Sequence, residues 1–535
     1  MSYSFENITI VGGGSSGWMT AATFARFFPD KNISIIESPD YPIVGVGEST
    51  LGQINIWMSL LGIEDKDFMK ETDASYKMSI KFTDFYKKDA GGFHYPFGER
   101  KLIGDNFDHL NTWFFKKALK PETPVQEYAR VHYNSMPLIE NNRITNDLEW
   151  YPFNFKWDTA YHFDATKFGQ VLKKNYCLPR GVNLIQDTVD NVIVNEDGID
   201  YLILKSGATH KADLYIDCTG FKSLLLSQTL KEEFISFNDI LPNNKAWATH
   251  LPYIDREKEL ECFTNSTAIS NGWCWNIPLW SRIGTGYVYS DKFISDEEAL
   301  EEFKQYLMSD KVIIPRTREQ VDAMTFRPIT MRVGIHDRTW VKNVVGIGLA
   351  AGFVEPLESN GLFTVHEFLI KLMRTLQRSD VYTQFDVDTY NTSTKEMFYE
   401  FAEFVAIHYA LSNRDDTLYW KDVTRQKNRM TNDLVSRITR PTNAVGQIHW
   451  AKNNDKRCPA DSTSGNLPIA AGMNYNFITK LDIDLMKITN PNTDYEFLIE
   501  QNSESWEYWY SKNLNKAMKC PTLHDYLKTN IHTDK

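Results

Sequence analysis

The chain is short of cysteine, short of positive charge and free of long apolar runs, and each shortage closes a class of function. Its six cysteines, Cys177, Cys218, Cys262, Cys274, Cys458 and Cys520, form no CxxC pair and no dense framework. They read as buried, reduced thiols in a cytosol-like compartment, not as a disulfide scaffold. No apolar run reaches the roughly 18 residues that span a bilayer, and the first apolar strand begins too early to leave room for a signal peptide. The expectation is a cytoplasmic protein with no membrane partner. With 70 Asp and Glu against 58 Lys and Arg the net charge is −12, which disfavours nucleic acid, because nonspecific attraction to phosphates comes from lysine and arginine. There are no internal repeats and no low-complexity tract. What remains, 42% apolar over 535 residues, can bury a large core in two or more lobes, with small molecules as the expected partners.

Residues 7–24 carry the densest signal. The apolar run Ile8, Thr9, Ile10, Val11 meets Gly12, Gly13, Gly14, Ser15, Ser16 and Gly17, and then residues 18–24. That order predicts a strand, a glycine turn and a helix. Gly12 permits the tight turn, Gly14 lets backbone approach a pyrophosphate, and Gly17 lets the helix pack on the strand, so a diphosphate can sit on the helix N-terminus. A second strand over 33–36 ends in Glu37, about 20 residues on, where a carboxylate can accept the ribose hydroxyls of an adenine nucleotide. A glycine turn can simply join strand to helix; the placed Glu37 argues for a dinucleotide.

Further along, YPIVGVGEST over 41–50, which contains Glu48, makes a loop able to lie against a flat cofactor or to serve as a plain connection. Residues 73–85 alternate as a strand would, with Lys77 and Lys81 four apart on one face. The stretch 90–150 lacks helical period and reads as substrate-facing cover. A helix is expected over 162–176, a β-meander over 182–217, and a strand ending in a small-residue turn at YIDCTG, 215–220. In NGWCWNIP, 271–278, Trp273 and Trp275 point to one face of a strand. A strand VVGIGL, the turn AAGFVEPLESNG and a helix over 362–376 follow. Phe398, Phe401, Phe404, Val405 and Tyr409 fall at helical spacing as core packing. The polar stretch 453–466 reads as loop. His162 with Asp164, and His408, find no third ligand at suitable spacing, so no metal is expected and these read as structural.

The finger GGGSSGWM, Lys77 in ASYK, the WxWxIP motif at 273–278 and VVGIGL leading into EPLESNG occur in one order. Together they resemble the flavin-dependent halogenases, near the tryptophan halogenase group, over residues 5 to about 420, with HFDA at 162–165, MRVG at 331–334 and SNRDDTLYW at 412–420 in support. The resemblance implies an α/β (mixed α+β), flavin monooxygenase-like fold of Rossmann type: an FAD-binding module over 1–390, with inserted substrate-facing segments near 90–150, and a largely helical substrate-facing module over 391–535. It implies that FADH2 from a separate flavin reductase reacts with O2, that halide is oxidised to hypohalous acid, and that this acid reaches a lysine beside an aromatic substrate. Lys77 matches that lysine, Glu358 and Ser359 match the positions linking substrate and flavin sites, and Asn360 and Gly361 match the halide site. Flavin contacts match Gly12, Gly14, Ser15, Ser16, Gly17, Glu37, Glu48, Val189 and Leu349. On the substrate side stand Tyr95, Phe97, Trp273, Trp275 and Trp450.

By itself Lys77 would be an ordinary strand lysine, and Glu358 a helix-start carboxylate balancing the dipole. The two tryptophans either keep organic substrate off the flavin or form a core pair. The sequence also departs from the family: Asn360 replaces a usual threonine, Tyr95 a histidine, and the tyrosine-rich segment that holds the amino acid group of tryptophan has no counterpart. An aromatic other than free tryptophan, and bromide or iodide as well as chloride, are the expectation. An FAD hydroxylase and a non-catalytic flavin binder are the competing readings. An NAD-dependent dehydrogenase is disfavoured for want of a second dinucleotide finger. Homo-oligomerisation stays open.

Overall fold

The computed structural model describes residues 2–40, 48–100, 112–147, 150–425, 463–476, 478–489 and 491–533. The finger strand Asn7–Val11 lies inside a six-stranded sheet, between Asn32–Glu37 and Leu214–Asp217. Asn183–Gln186 extends the sheet beyond Asn32–Glu37, and Val344–Gly346 and Trp340–Val341 extend the other side. Only the Trp340–Val341 edge pairs antiparallel. A parallel sheet needs cover on both faces, and the strand alternation supplies two apolar surfaces. Ile8, Ile10, Ile35 and Ile216 join the main core with the helix Ser15–Phe27, while Val11, Ile36 and Tyr215 pack under the meander of Val189–Asn195, Gly198–Leu204 and Thr209–His210.

A seven-stranded sheet forms the second layer, in the order Arg327–Thr330, Lys245–Leu251, Ile283–Tyr289, Gly272–Pro278, Phe263–Ile269, Ser79–Thr83, Gly92–Pro96. A small sheet of Glu48–Ser49, Ala160–Phe163 and Ser75–Lys77 stands beside it. Here the expected single strand over 73–85 is corrected. The chain changes sheets at Met78, whose N–H bonds Cys262 O at 2.7 Å while its carbonyl accepts from Phe97 N at 2.9 Å. Lys77 and Lys81 therefore belong to different sheets; Lys77 is fully buried and Lys81 half-buried.

The helix expected from His162 begins instead at Ala165, because the Asp164 side chain accepts from Lys167 N and caps it, leaving His162 on a strand. Within 90–150 lie a strand, Gly92–Pro96, and helices Thr112–Leu119, Glu127–His132 and Met136–Glu140, each too short to print a helical period. The expected loop over 453–466 is helical from Thr463, in Thr463–Gly472; its earlier residues lie outside the described ones. The helix Gln384–Ala410 runs through residue 390, and Tyr495–Ala517 packs on Met136–Glu140, so late and early segments interleave. Among the described residues no helix is long and apolar enough to cross a membrane. Cys177, Cys218, Cys262 and Cys274 are buried and free, Cys520 half-buried and free; Cys458 lies outside the described residues.

Candidate active site

At the carboxyl end of the parallel sheet, Gly12 holds φ +116°, and a Cβ there would lie 2.3 Å from Cys218 O. A Cβ on Gly17 would lie 1.9 Å from Gly12 O, whereas one on Gly14 would meet nothing within 4 Å. The helix Ser15–Phe27 has no side-chain cap, so its first N–H groups face that open space. Glu37 is held beside Gly13: Trp18 Nε1 donates to its Oε1 at 3.2 Å and the Lys173 ammonium sits on Oε2. Ser15 Oγ donates to Ala165 O at 2.9 Å. Ser16 Oγ closes on Gly348, which has φ +66°, and so brings the turn carrying Leu349 to the finger. Val189 begins the meander next to Thr188, whose hydroxyl lies 2.6 Å from Ser38 Oγ. Uncapped helix N–H groups, open space at Gly14 and an acidic side chain at the second strand's end fit an adenine dinucleotide.

Lys77 Nζ donates to Thr50 O at 2.9 Å and to Ser359 Oγ at 2.7 Å, and stands 4.8 Å from the Phe97 ring centroid. Ser359 takes a left-handed conformation, φ +60°, after the short turn Pro356–Glu358, which aims its hydroxyl at Lys77 and, at 3.1 Å, at Ser49 Oγ. Burial draws Lys77 well below an ordinary lysine pKa, opposed by the charge of Glu358. Glu358, 1% exposed, is pushed up by burial and drawn back by His408 and Lys77. Lys77, Glu358 and Ser359 thus meet in one desolvated cluster.

Asn360 and Gly361 start the 16-residue helix Gly361–Leu376. Asn360 Nδ2 donates to Val354 O at 3.1 Å and its Oδ1 has no partner among the described residues. The amide side chain is thereby tied to the loop, and what this turn could offer an anion is backbone N–H groups. Glu48 Oε2 comes within 3.2 Å of where a Cβ on Gly361 would stand, and burial raises its carboxyl to about 7.

Trp273 Nε1 donates to Glu355 Oε2 at 2.9 Å, an oxygen that also accepts from Asn243 Nδ2 and the Tyr409 hydroxyl. Trp275 stacks over Gly286, where a Cβ would be 2.2 Å from its ring, and its Nε1 has no partner among the described residues. Tyr95 meets Phe97 and Phe404 edge-on, each at 6.2 Å, and its hydroxyl abuts Gly465 of Thr463–Gly472. Trp450 lies outside the described residues.

Three further side chains contact predicted site residues. Lys173 on Glu37 and Glu355 under Trp273 have no local signature. His408, which the sequence presents as a structural histidine one turn after Phe404 in an apolar stripe, has its Nε2 2.7 Å from Glu358 Oε1. His162 lies 2.9 Å from Thr264 Oγ1 and 3.3 Å from Ser75 Oγ. No group of three potential metal ligands occurs among the described residues.

A largely parallel nucleotide sheet, its uncapped finger helix, a mixed second layer and a buried lysine on the small sheet beside it define an FAD-binding protein of flavin monooxygenase-like architecture. The chain belongs to the tryptophan halogenase family: the model of that family, "Tryptophan halogenase", matches residues 7–454. It is similar to tryptophan 6-halogenase ThaL of Streptomyces albogriseolus, 32% identical over 437 residues, 79% of each chain. It is likewise similar to tryptophan 7-halogenase RebH of Lentzea aerocolonigenes, 32% identical over 439 residues, again 79% of each. The apo structure of VirX1 superposes with a TM-score of 0.88 at 38% identity, covering 99% of this chain and 100% of that one. The protein is therefore a flavin-dependent halogenase, an enzyme that draws reduced flavin from a separate reductase.

Proposed function

We propose that the enzyme halogenates an electron-rich aromatic or heteroaromatic small molecule other than free tryptophan, using bromide, iodide or chloride. The observation that carries this is Lys77: a fully buried amine bonded to Ser359, 4.8 Å from the Phe97 ring and within the field of Glu358. FADH2, when bound, would supply two electrons to O2 and the halide the other two, so that halide is oxidised to hypohalous acid and water is released. The N-terminus of Gly361–Leu376 would hold the halide, and Glu37 and the finger helix the nucleotide. Tyr95 and Phe97 would orient the flat substrate. In its ammonium form, a stronger acid than an ordinary lysine because burial lowers its pKa, Lys77 Nζ gives a proton to the oxygen of hypohalous acid as that oxygen leaves as water and the ring's π pair bonds halogen. Glu358 stabilises the ring cation and takes its proton, and the C–H pair restores aromaticity. Trp273 and Trp275 would keep substrate away from the flavin. Asn360, in place of threonine, supports use of the softer halides.

The test is mass spectrometry of the protein with FAD, NADH, a flavin reductase, oxygen, each halide and a panel of phenols and indoles. Halogenated product that survives catalase and disappears with Lys77→Ala is expected. Hydroxylated product without halide would overturn the reading in favour of a monooxygenase, and clear chloride preference would overturn the assignment to Asn360.

A further inference from the structure

His408 lies on the helix Gln384–Ala410, fully buried, with its ring 4.8 Å from Phe82 and 5.5 Å from Phe404. Its Nδ1 lies 3.0 Å from Phe404 O and 3.2 Å from Val405 O, one turn back. A carbonyl only accepts, so Nδ1 carries a hydrogen and donates it. In a neutral imidazole that leaves Nε2 as a bare acceptor. Yet Nε2 lies 2.7 Å from Glu358 Oε1, a close contact whose direction falls outside ordinary hydrogen-bond geometry. Two bare acceptors at that separation repel; a hydrogen on one of them makes the contact favourable. The pair therefore contains one proton, as imidazolium against carboxylate or as neutral imidazole against acid. Either form is neutral overall, which suits two groups shut away from water. The other titratable groups acting on the pair are Lys77, across from Glu358 on its short strand, and Glu355, on the same turn as Glu358 and bonded to Tyr409.

We propose that His408 is a positioning residue for halogenation: it carries the shared proton at Glu358 Oε1 and leaves Oε2 with carboxylate character, as the oxygen that receives the proton leaving the substrate ring. Oε2 has no partner among the described residues. The role of Oε2 rests on the function proposed above; the shared proton does not. In the step, the ring C–H bond breaks, its electron pair returns to the ring and an O–H bond forms at Oε2. The positive charge of the ring cation passes to the pair, where the imidazolium holds it. No oxidant or further reactant enters.

His408→Gln keeps an N–H donor toward Glu358 but has no proton to share. Without the imidazolium, burial keeps Glu358 protonated to higher pH, so the rising limb of the kcat–pH profile is expected to move up by roughly one pH unit or more, with KM for the aromatic probe within about twofold. A packing role would lower kcat equally at every pH and leave the limb in place, which overturns the proposal. A second readout needs no turnover. In protein labelled with 15N-histidine, a hydrogen attached to or shared by His408 Nε2 is expected in the buffer used for turnover, and it is lost in Glu358→Gln. A bare Nε2 in the wild type refutes the shared proton even if halogenation holds. Conversely, a wild type that halogenates nothing refutes the proposed function, while the nitrogen spectrum still decides on the proton.

Discussion

Replacing Lys77 by methionine should make the protein's stability respond to alkali in a way that can be read directly. The folded-state pKa of Lys77 is drawn well below the unfolded value by burial, and that unfolded value is about 10.4. Between the two values the unfolded chain binds the extra proton. Stability therefore rises with pH through this window, is complete above the unfolded pKa and is lost as pH falls toward the folded one. One proton sets a slope of at most about 1.4 kcal/mol per pH unit. The methionine variant lacks this slope. It also loses the bonds to Thr50 O and Ser359 Oγ, worth about 0.5–1.5 kcal/mol each, but these are independent of pH and enter as an offset. Urea unfolding of both proteins at about pH 7, 8, 9 and 10 should show the wild type gaining on the variant by up to about 1.4 kcal/mol per unit. A difference that stays constant across the range would refute the claim that Lys77 is held in its desolvated state.

Two further outcomes follow from the nucleotide and anion ends. Gly12→Ala forces a side chain into φ +116° and 2.3 Å from Cys218 O, at a cost of about 1–3 kcal/mol of backbone strain before the clash is counted; it should lower thermal stability and remove the added stabilisation by FAD in a melting assay. Glu48, with its carboxyl near 7, would repel an anion at the Gly361 turn once ionised. Half-saturating bromide should then rise with pH through neutrality in the wild type and stay flat in Glu48→Gln; parallel curves would exclude the contact.

The finger, Glu37 and the second glycine turn were legible because each is written within a few consecutive residues whose backbone demands are local. Lys77 was legible only through its neighbours in the pattern, since nothing in a single strand tells which lysine is taken out of water. Met78 shows why: the chain passes from one sheet to another there, and the partner that holds the joint is Cys262, far along the chain. The same distance hides the rest. Lys173 reaches Glu37 across 136 positions, and the pairing of His408 with Glu358 depends on where a long helix crosses a turn. The helices between 112 and 140 were hidden for a different reason, being too brief for periodicity to declare itself.

Seven consecutive residues, 355 to 361, join nearly every part of the site: Glu355 clamps Trp273, Glu358 meets His408, Ser359 holds Lys77, and Asn360 and Gly361 open the helix beside Glu48. The surroundings of Tyr95, by contrast, come from separate elements: Phe404 on one helix and the backbone at Gly465 on another, Thr463–Gly472. An engineer seeking a new substrate should therefore begin with Tyr95 and Gly465 and leave Phe404, whose ring packs on His408, unchanged. A substitution in the seven-residue segment would disturb several functions together, so libraries drawn there should be dominated by inactive clones.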